Sequence, residues 1–283
     1  MPDAEVYFGY RLQKQDVEVA KKLKWVHVPA ASVYVLVDLG LQQKGIVVTN
    51  SRGLHAVPIA EHVLGSMLVF SRKFLESWQY QQKHYYAARE ILTEPPLPGE
   101  LRGKTVLVLG LGGIGTEVAR LCKAFGMRVL ACKRNPVGVY DNVDQVYAAE
   151  DFRKPLPEAD YLVIAVPRTS STDGMIGEAE LKVLKKSCVV INIARANIIH
   201  HEALVLCLKE NRIRGAALDV FEQEPLPSDS ELFSLPNVFL TPHTSGVSAV
   251  EHWPRMMELF AENLRRYTAG QPLMNVVNLK EGY

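Results

Sequence analysis

Residues 105–134 read TVLVLGLGGIGTEVARLCKAFGMRVLACKR, an apolar strand followed by a glycine-rich turn, an amphipathic helix and a second apolar strand. In such a unit, Gly110 permits a tight turn, Gly112 lets the backbone approach a pyrophosphate and Gly115 allows close helix packing. A glycine pattern of this kind is weak evidence alone. Its position between a strand and a helix predicts a dinucleotide-binding turn.

The first amides of the following helix belong to the same prediction. Gly113 and Ile114 begin the helix, where backbone N–H groups lack helical partners and the helix dipole is positive. We therefore expect these amides to contact the phosphates of the dinucleotide.

The end of the second strand carries two cations, Lys133 and Arg134. In many dinucleotide sites a carboxylate about 20 positions beyond the glycines binds the ribose 2′-hydroxyl. Cations at that place instead neutralise a 2′-phosphate, and arginine does so with a forked pair of donors. The pair predicts a preference for NADP(H), with NAD(H) still possible. The alternative is that both residues are solvated charges after a strand.

Composition restricts the class of protein. The chain has 283 residues and a formal net charge of +1, which allows two domains and predicts no nucleic-acid partner. The sequence MPDAEVYF does not resemble a signal peptide, and no apolar run approaches the roughly 18 residues of a membrane helix. We expect a cytoplasmic protein with no membrane partner.

Cysteine and histidine spacing predicts no metal site. The four cysteines have no CxxC pairing and lie in apolar segments, which is typical of buried, reduced thiols. His200 and His201 are adjacent, and neighbouring residues on a helix point apart.

Alternating strand and helix patterns predict an α/β fold. From Lys104 onward, the strands TVLVLG, RVLACK, YLVIAVP, CVVINIA, GAALDVF and NVFLTP alternate with helical segments, which is typical of a doubly wound Rossmann domain. Earlier strands (EVYFGY, KWVHVPA, GIVVTN) predict a smaller domain. Pro58 is expected to open a long helix with an apolar stripe. That stripe comprises Val63, Met67, Phe70 and Phe74.

The last strand, MNVVN, is expected to return to the smaller domain and make it discontinuous. We predict a substrate domain over 1–55 and 252–283, and a dinucleotide-binding domain over 56–251.

Three polar residues follow strands of the larger domain: Arg195 after CVVINIA, Glu224 after GAALDVF and His243 after NVFLTP. Ligands bind at the carboxyl ends of strands in open α/β sheets. Reduction of a 2-keto acid needs a cation for the substrate carboxylate and carbonyl, and an acid that protonates the alkoxide. A carboxylate beside a histidine keeps it charged and oriented. Each residue alone reads as a surface charge, but together they predict a catalytic set.

These motifs resemble the D-isomer-specific 2-hydroxyacid dehydrogenase family. The resemblance rests on VTNSRGLHAVPIAEH, the glycine segment, INIARANIIHHEAL, GAALDVFEQEPLP, LPNVFLTPHTSG and LMNVVNLKEGY. It implies catalysis by Arg195, Glu224 and His243. Members of the branch with cations at the end of this strand, which is similar to glyoxylate/hydroxypyruvate reductases, prefer NADPH, which agrees with Lys133 and Arg134. It also implies that Asp219 holds the nicotinamide carboxamide. The residues implied to line the cofactor cleft are Pro167, Ile193, Ser245 and Gly246.

The resemblance further implies a homodimer, with an arm around residues 78–86, and a flavodoxin-like substrate domain. Two departures stand out. The loop expected to bind the substrate carboxylate offers Ala31 and Ser32, with Val33, where the family usually has glycine. Compared with the family pattern, the substrate domain is expected to lack its first βα unit before DAEVYFGY, and the sequence leaves open whether the start lies upstream or the sheet is completed in another way.

Three readings of function remain open. The first is an NAD(P)H-dependent reductase of a small 2-keto acid such as glyoxylate, hydroxypyruvate or pyruvate, or the reverse oxidation. The second is a dinucleotide-sensing interaction protein of the corepressor type. The third is a cofactor-binding protein without turnover.

Overall fold

The computed structural model describes residues 2–30 and 33–279. Two units are distinguished, Met1–His55 with Ser248–Tyr283, and Ala56–Val247. The chain returns to the first unit at Ser248, four residues before the boundary at residue 252 expected from the sequence. The reason is local: the His252 amide donates to the Ser248 carbonyl and the Arg255 amide to the Glu251 carbonyl, so residues 248–251 continue into the helix that follows.

The elements follow one another in chain order. The first unit begins with β1 (Val6–Phe8), α1 (Lys14–Val19), β2 (Trp25–Val28) and β3 (Val47–Asn50). The second unit contains α2 (Ala56–Ser71), α3 (Phe74–Gln82), α4 (Ala88–Thr93), β4 (Thr105–Leu109), α5 (Gly113–Ala124), β5 (Arg128–Lys133), β6 (Gln145–Ala148), β7 (Tyr161–Ile164), α6 (Glu178–Val183), β8 (Val189–Asn192), α7 (His201–Lys209), β9 (Gly215–Leu218) and β10 (Val238–Leu240). The helix α8 (His252–Thr268) belongs to the first unit.

The second unit is built on a seven-stranded parallel sheet in the order β10-β9-β8-β7-β4-β5-β6. Every residue of β4, β7, β8 and β9 is buried, as expected for parallel strands covered on both faces. The strand order reverses between β4 and β7, where ligands of open α/β sheets bind. The doubly wound fold predicted from the sequence is confirmed.

The helix α5 packs very closely on the end of β4. A Cβ added at Gly115 would lie 1.9 Å from the Gly110 carbonyl oxygen, and one added at Gly110 would lie 2.7 Å from the Ala165 oxygen. Gly110 also has φ +97°, a conformation that favours glycine. Backbone therefore contacts backbone at the point where β4, β7 and α5 meet.

Helix α2 covers one face of this sheet. Val63, Met67 and Phe70 are buried in a core shared with α5 and the strands, as the apolar stripe predicts. Two expectations for this segment are wrong. The helix begins at Ala56 rather than Pro58, and Pro58 falls in the first turn, where its missing N–H costs no helical bond. Phe74 is exposed, since Lys73 takes φ +57° and starts a new helix, α3.

Sequence patterns also missed one strand. Residues Gln145–Ala148 form β6 on the edge of the sheet, where only partial burial is required and the apolar pattern is weak. Among the described residues, no helix is both long enough and apolar enough to cross a membrane. The four cysteines are free and buried, and burial raises the pKa of Cys122 and of Cys132 to about 12.

In the first unit, β1, β2 and β3 pair in parallel in chain order. The indole of Trp25 donates to the Thr49 hydroxyl, which also contacts Nδ1 of buried His27 at 2.8 Å. Residues 274–278 return to this sheet as predicted, through an isolated bridge between Thr49 and Val276 rather than a regular strand, and the Asn275 side chain donates to the Asn50 and Arg52 carbonyls. The missing first βα unit stays a prediction.

The contact beneath Gly115 yields a test of packing. Gly115→Ala should lower the free energy of unfolding by about 2–3 kcal/mol, because the new methyl group meets backbone that cannot move aside. Gly112→Ala is the matched control, since no atom lies within 4 Å of its added Cβ. It should cost less than about 1 kcal/mol. Urea unfolding measures both, and equal losses would contradict the packing explanation.

Candidate active site

The glycine turn between β4 and α5 leaves its amides accessible. Gly112 is the residue before α5, has no side chain to cap the helix, and is exposed together with Gly113. The amides of Gly113 and Ile114 lie in the first turn of the helix, where no earlier carbonyl can accept from them. The turn can therefore receive an anion at the positive end of α5.

At the end of β5, Lys133 is held by an aromatic ring. Its ammonium lies 4.7 Å from the centroid of the Tyr140 ring, a cation–π contact. The Tyr140 hydroxyl donates back to the loop, 3.0 Å from the Val137 carbonyl. Arg134 follows directly and is exposed. Both cations predicted from the sequence therefore lie beside each other at the strand end next to the glycine turn, since β5 pairs with β4.

Arg195 follows β8 on a turn that Asn192 fixes. The Asn192 amide donates to the Arg195 carbonyl at 2.9 Å, and its side-chain oxygen accepts from the Ala194 amide at 3.1 Å. The Arg195 backbone is extended, and its guanidinium is exposed and donates to the Ala194 carbonyl at 2.6 Å. Asn192 was not singled out from the sequence. The sequence feature that could have identified it is an asparagine directly after an apolar run, because asparagine commonly organises turns.

His243 and Glu224 form a hydrogen-bonded pair of an imidazole and a carboxylate at this edge of the sheet. Nδ1 of His243 lies 2.7 Å from Oε2 of Glu224, and Oε1 of Glu224 accepts from the Phe221 amide at 3.0 Å. Burial acts to raise the pKa of Glu224, but the bonds from His243 and Phe221 and the charges of His243 and Arg195 outweigh it. The pKa of Glu224 therefore lies below its ordinary value, and the carboxylate is ionised at neutral pH.

Asp219 follows β9 and is only 1% exposed. Its Oδ1 accepts from the Thr241 hydroxyl at 2.6 Å and the Thr244 amide at 2.9 Å, and its Oδ2 accepts from the Ser245 amide at 3.0 Å. Burial acts to raise the pKa of Asp219, but hydrogen bonds from the side chains of Ser245 and Thr241, followed by those from the Thr244 and Ser245 amides, lower it below the ordinary value. A buried anion thus holds both sides of the loop that carries His243.

The remaining predicted residues have different surroundings. Ile193 and Ser245 are buried, and the Pro167 carbonyl accepts from the Thr172 hydroxyl at 2.7 Å. Gly246 is partly buried. Ala31 and Ser32, predicted to bind substrate, lie outside the described residues.

Comparison with known proteins matches this site to a family. Residues 64–245 match the model of the D-isomer specific 2-hydroxyacid dehydrogenase NAD binding domain. A D-3-phosphoglycerate dehydrogenase from Archaeoglobus fulgidus is 33% identical over 95% of this chain, which spans only 50% of that protein. A glyoxylate reductase from Korarchaeum cryptofilum is 34% identical over 98% of this chain and 79% of its own length.

A solved structure agrees with these matches. The NADPH-dependent glyoxylate/hydroxypyruvate reductase from Sinorhizobium meliloti, in complex with NADP and sulfate, superposes with a TM-score of 0.80 at 26% identity. The alignment covers 99% of this chain and 86% of that one. The chain therefore belongs to the D-isomer specific 2-hydroxyacid dehydrogenase family of NAD(P)-dependent oxidoreductases.

Proposed function

We propose that this chain catalyses the NADPH-dependent reduction of a small 2-keto acid to the D-2-hydroxy acid, or the reverse oxidation. The observation that carries the proposal is the 2.7 Å contact between His243 and Glu224, an imidazole paired with an ionised carboxylate at the carboxyl edge of the sheet. A proton donor for an alkoxide needs this combination of a titrating group and an orienting anion.

The residues of the second unit fit a nicotinamide dinucleotide. Backbone at Gly110 and Gly115 leaves no space for a Cβ, whereas Gly112 faces open space where a pyrophosphate can approach the amides of α5. Lys133 and Arg134 suit a 2′-phosphate on the adjoining ribose. Asp219 is proposed to hold the carboxamide, with Pro167, Ile193, Ser245 and Gly246 lining the cleft. When bound, the dinucleotide supplies or accepts the hydride.

Arg195 is proposed to bind the substrate carboxylate and polarise the keto oxygen. A guanidinium presents paired donors that match a carboxylate, and its fixed charge opposes the negative charge that develops on oxygen. Ala31 and Ser32 are proposed to contact the same carboxylate. The small size of the acid is inferred from the names of the relatives, glyoxylate reductase among them.

His243 is proposed to deliver the proton. The new alkoxide oxygen takes the proton from the imidazolium, and in the reverse direction the neutral imidazole removes it from the hydroxyl. Glu224 accepts from Nδ1 throughout, which leaves Nε2 to face the substrate. No observation on the described residues favours the dinucleotide-sensing reading, which predicts bound cofactor without turnover.

Cofactor preference tests the cations after β5. With a 2-keto acid panel including glyoxylate and hydroxypyruvate, kcat/KM should be about tenfold or more higher with NADPH than with NADH, because two cations meet the 2′-phosphate. The double variant Lys133→Asp, Arg134→Ala should abolish or invert this preference. Lys154→Asp, which removes an exposed cation elsewhere in the unit, is the control and should preserve it. Equal use of both cofactors by the unaltered protein would contradict the assignment.

The dependence of reduction on pH tests His243 and Glu224. Because reduction consumes the imidazole proton, kcat/KM should fall as pH rises through the loss of that proton. The carboxyl cannot account for this fall, since its lowered pKa leaves it ionised across the neutral range. Glu224→Gln should lower kcat/KM, because a neutral amide replaces the ionised carboxylate that orients the imidazole.

Substitution of the donor itself completes this test. His243→Ala should lower kcat about 10²–10⁴-fold, with little change in NADPH affinity. His200→Ala removes an exposed imidazole outside the set and serves as control. Normal turnover by His243→Ala would assign the proton to another group.

We also propose that the chain acts as a homodimer joined through the arm around residues 78–86. Exposed aromatic side chains support it, since Trp78 is 59% and Tyr86 91% exposed. The arm is internally ordered, because the Tyr85 hydroxyl donates to Glu90 at 2.7 Å. Large exposed apolar patches on an ordered surface mark interaction sites.

Light scattering on a sizing column tests the arm. The unaltered chain should elute with twice the monomer mass, and Trp78→Glu should shift it to the monomer because a charge enters the apolar contact. Phe233→Glu is the matched control, because Phe233 is 58% exposed on a different surface segment. It should leave the dimer intact. A monomeric unaltered chain at micromolar concentration would overturn this assembly.

A further inference from the structure

The loop that carries His243 has an unusual backbone. The His243 amide donates to the Thr241 carbonyl at 3.0 Å, which closes a three-residue turn over Pro242. His243 itself has φ +54°, in the left-handed region. Non-glycine residues adopt this conformation at a cost, so the surrounding structure must hold it in place.

Asp219 supplies that hold from beneath the loop. Among the groups that donate to it, the Thr241 hydroxyl precedes His243, and the amides of Thr244 and Ser245 follow it. The carboxylate is buried, where hydrogen bonds to a charge are strong. The loop is therefore fixed on both sides of the histidine by one anion.

A second histidine extends this arrangement. Nε2 of His62, on α2, lies 3.3 Å from the Thr241 hydroxyl oxygen. The hydroxyl proton is committed to the ionised Asp219, which can only accept. His62 must therefore donate from Nε2. The two hydrogen bonds then run in one direction, from His62 to Thr241 and from Thr241 to Asp219.

The protonation state of His62 agrees with this direction. Burial lowers the pKa of His62, and the charge of Asp219 acts against that effect. The ring is therefore neutral at neutral pH, and its single proton lies on Nε2.

We infer that Thr241 and His62 are positioning residues that act through Asp219 to hold the loop 241–246, and with it His243, in the geometry that faces Glu224. The catalytic meaning of this inference rests on the proposed function. Neither residue needs to touch the substrate. Their effect is to reduce the number of orientations that His243 samples.

Hydrogen exchange of individual amides in the full chain tests the hold without any substrate. Thr241→Val removes the hydroxyl at nearly constant volume, and exchange at the Thr244 and Ser245 amides should rise about tenfold. Amides of β4 and α5 should not change, which distinguishes local release from general destabilisation. Thr241→Ser retains the hydroxyl and should restore slow exchange. Thr93→Val removes a helical hydroxyl that bonds the Arg89 carbonyl and should change neither amide.

His62 is tested with the same readout. His62→Leu should raise exchange at the same two amides about threefold, since Thr241 loses a donor but keeps its bond to Asp219. His62→Gln places an N–H near the position of Nε2 and should restore the unaltered rate.

Steady-state kinetics adds a second readout. Thr241→Val should lower kcat about tenfold while the KM for the keto acid stays within about twofold, because orientation of the donor is lost and substrate binding is kept. Thr241→Ser should restore kcat. Unchanged exchange in Thr241→Val, or no rescue by serine, would overturn the inference. If Thr241→Val exchanges faster but the unaltered chain reduces no keto acid, the inference that Thr241 fixes the loop is supported and only the proposed function is overturned.

Discussion

The close contact between the first turn of α5 and the end of β4 is the constraint on which the rest of this unit depends. Because a Cβ at Gly115 would lie 1.9 Å from the Gly110 oxygen, only glycine allows the helix to begin directly over the strand. That placement brings the helix amides to the carboxyl edge of the sheet. Because β4 and β7 to β10 pair in parallel, the loops after β8, β9 and β10 lie on that same edge.

Two carboxylates on this edge illustrate how surroundings assign different roles to one chemical group. Asp219 and Glu224 both have a lowered pKa, and in both cases hydrogen bonding outweighs the opposing effect of burial. Asp219 accepts from the side chains of Thr241 and Ser245 and from two amides, so its charge holds the loop in place. Glu224 binds one amide and the imidazole of His243, so its charge remains coupled to a group that can exchange a proton.

The sequence predicts the elements that local patterns encode. The core strands are continuous apolar runs, and the glycine turn has a fixed spacing, so β4, α5 and β5 lie where expected. Arg195, Glu224 and His243 were recognisable because each follows a strand, and parallel strands bring their ends together. The edge strand β6 was missed because its four residues, Gln-Val-Tyr-Ala, are too few and too weakly buried to give a periodic signal. The end of α2 was misplaced because Lys73 adopts a left-handed conformation that its residue type does not predict.

Long-range polar contacts were beyond sequence reasoning for a different reason. Thr241 and His62 are 179 positions apart in the chain, and nothing in either local pattern connects them. His62 reads as one polar residue within an amphipathic helix, and Thr241 as the end of a strand. Only the packing of α2 against this sheet makes the two adjacent. The same holds for Asn192, whose role in fixing the turn of Arg195 depends on backbone geometry rather than on spacing.

Sheet order separates the residues proposed to select the cofactor from the residue proposed to deliver the proton. Lys133 ends β5 and His243 follows β10, and five strand spacings lie between these strands. At ~4.8 Å per spacing this is about 24 Å, well beyond the ~8 Å over which physiological salt screens exposed charges. A change of charge at the end of β5 therefore has little direct electrostatic effect on the imidazole. In the proposed function, cofactor preference can therefore change through Lys133 and Arg134 while the hydrogen bond that orients His243 stays the same.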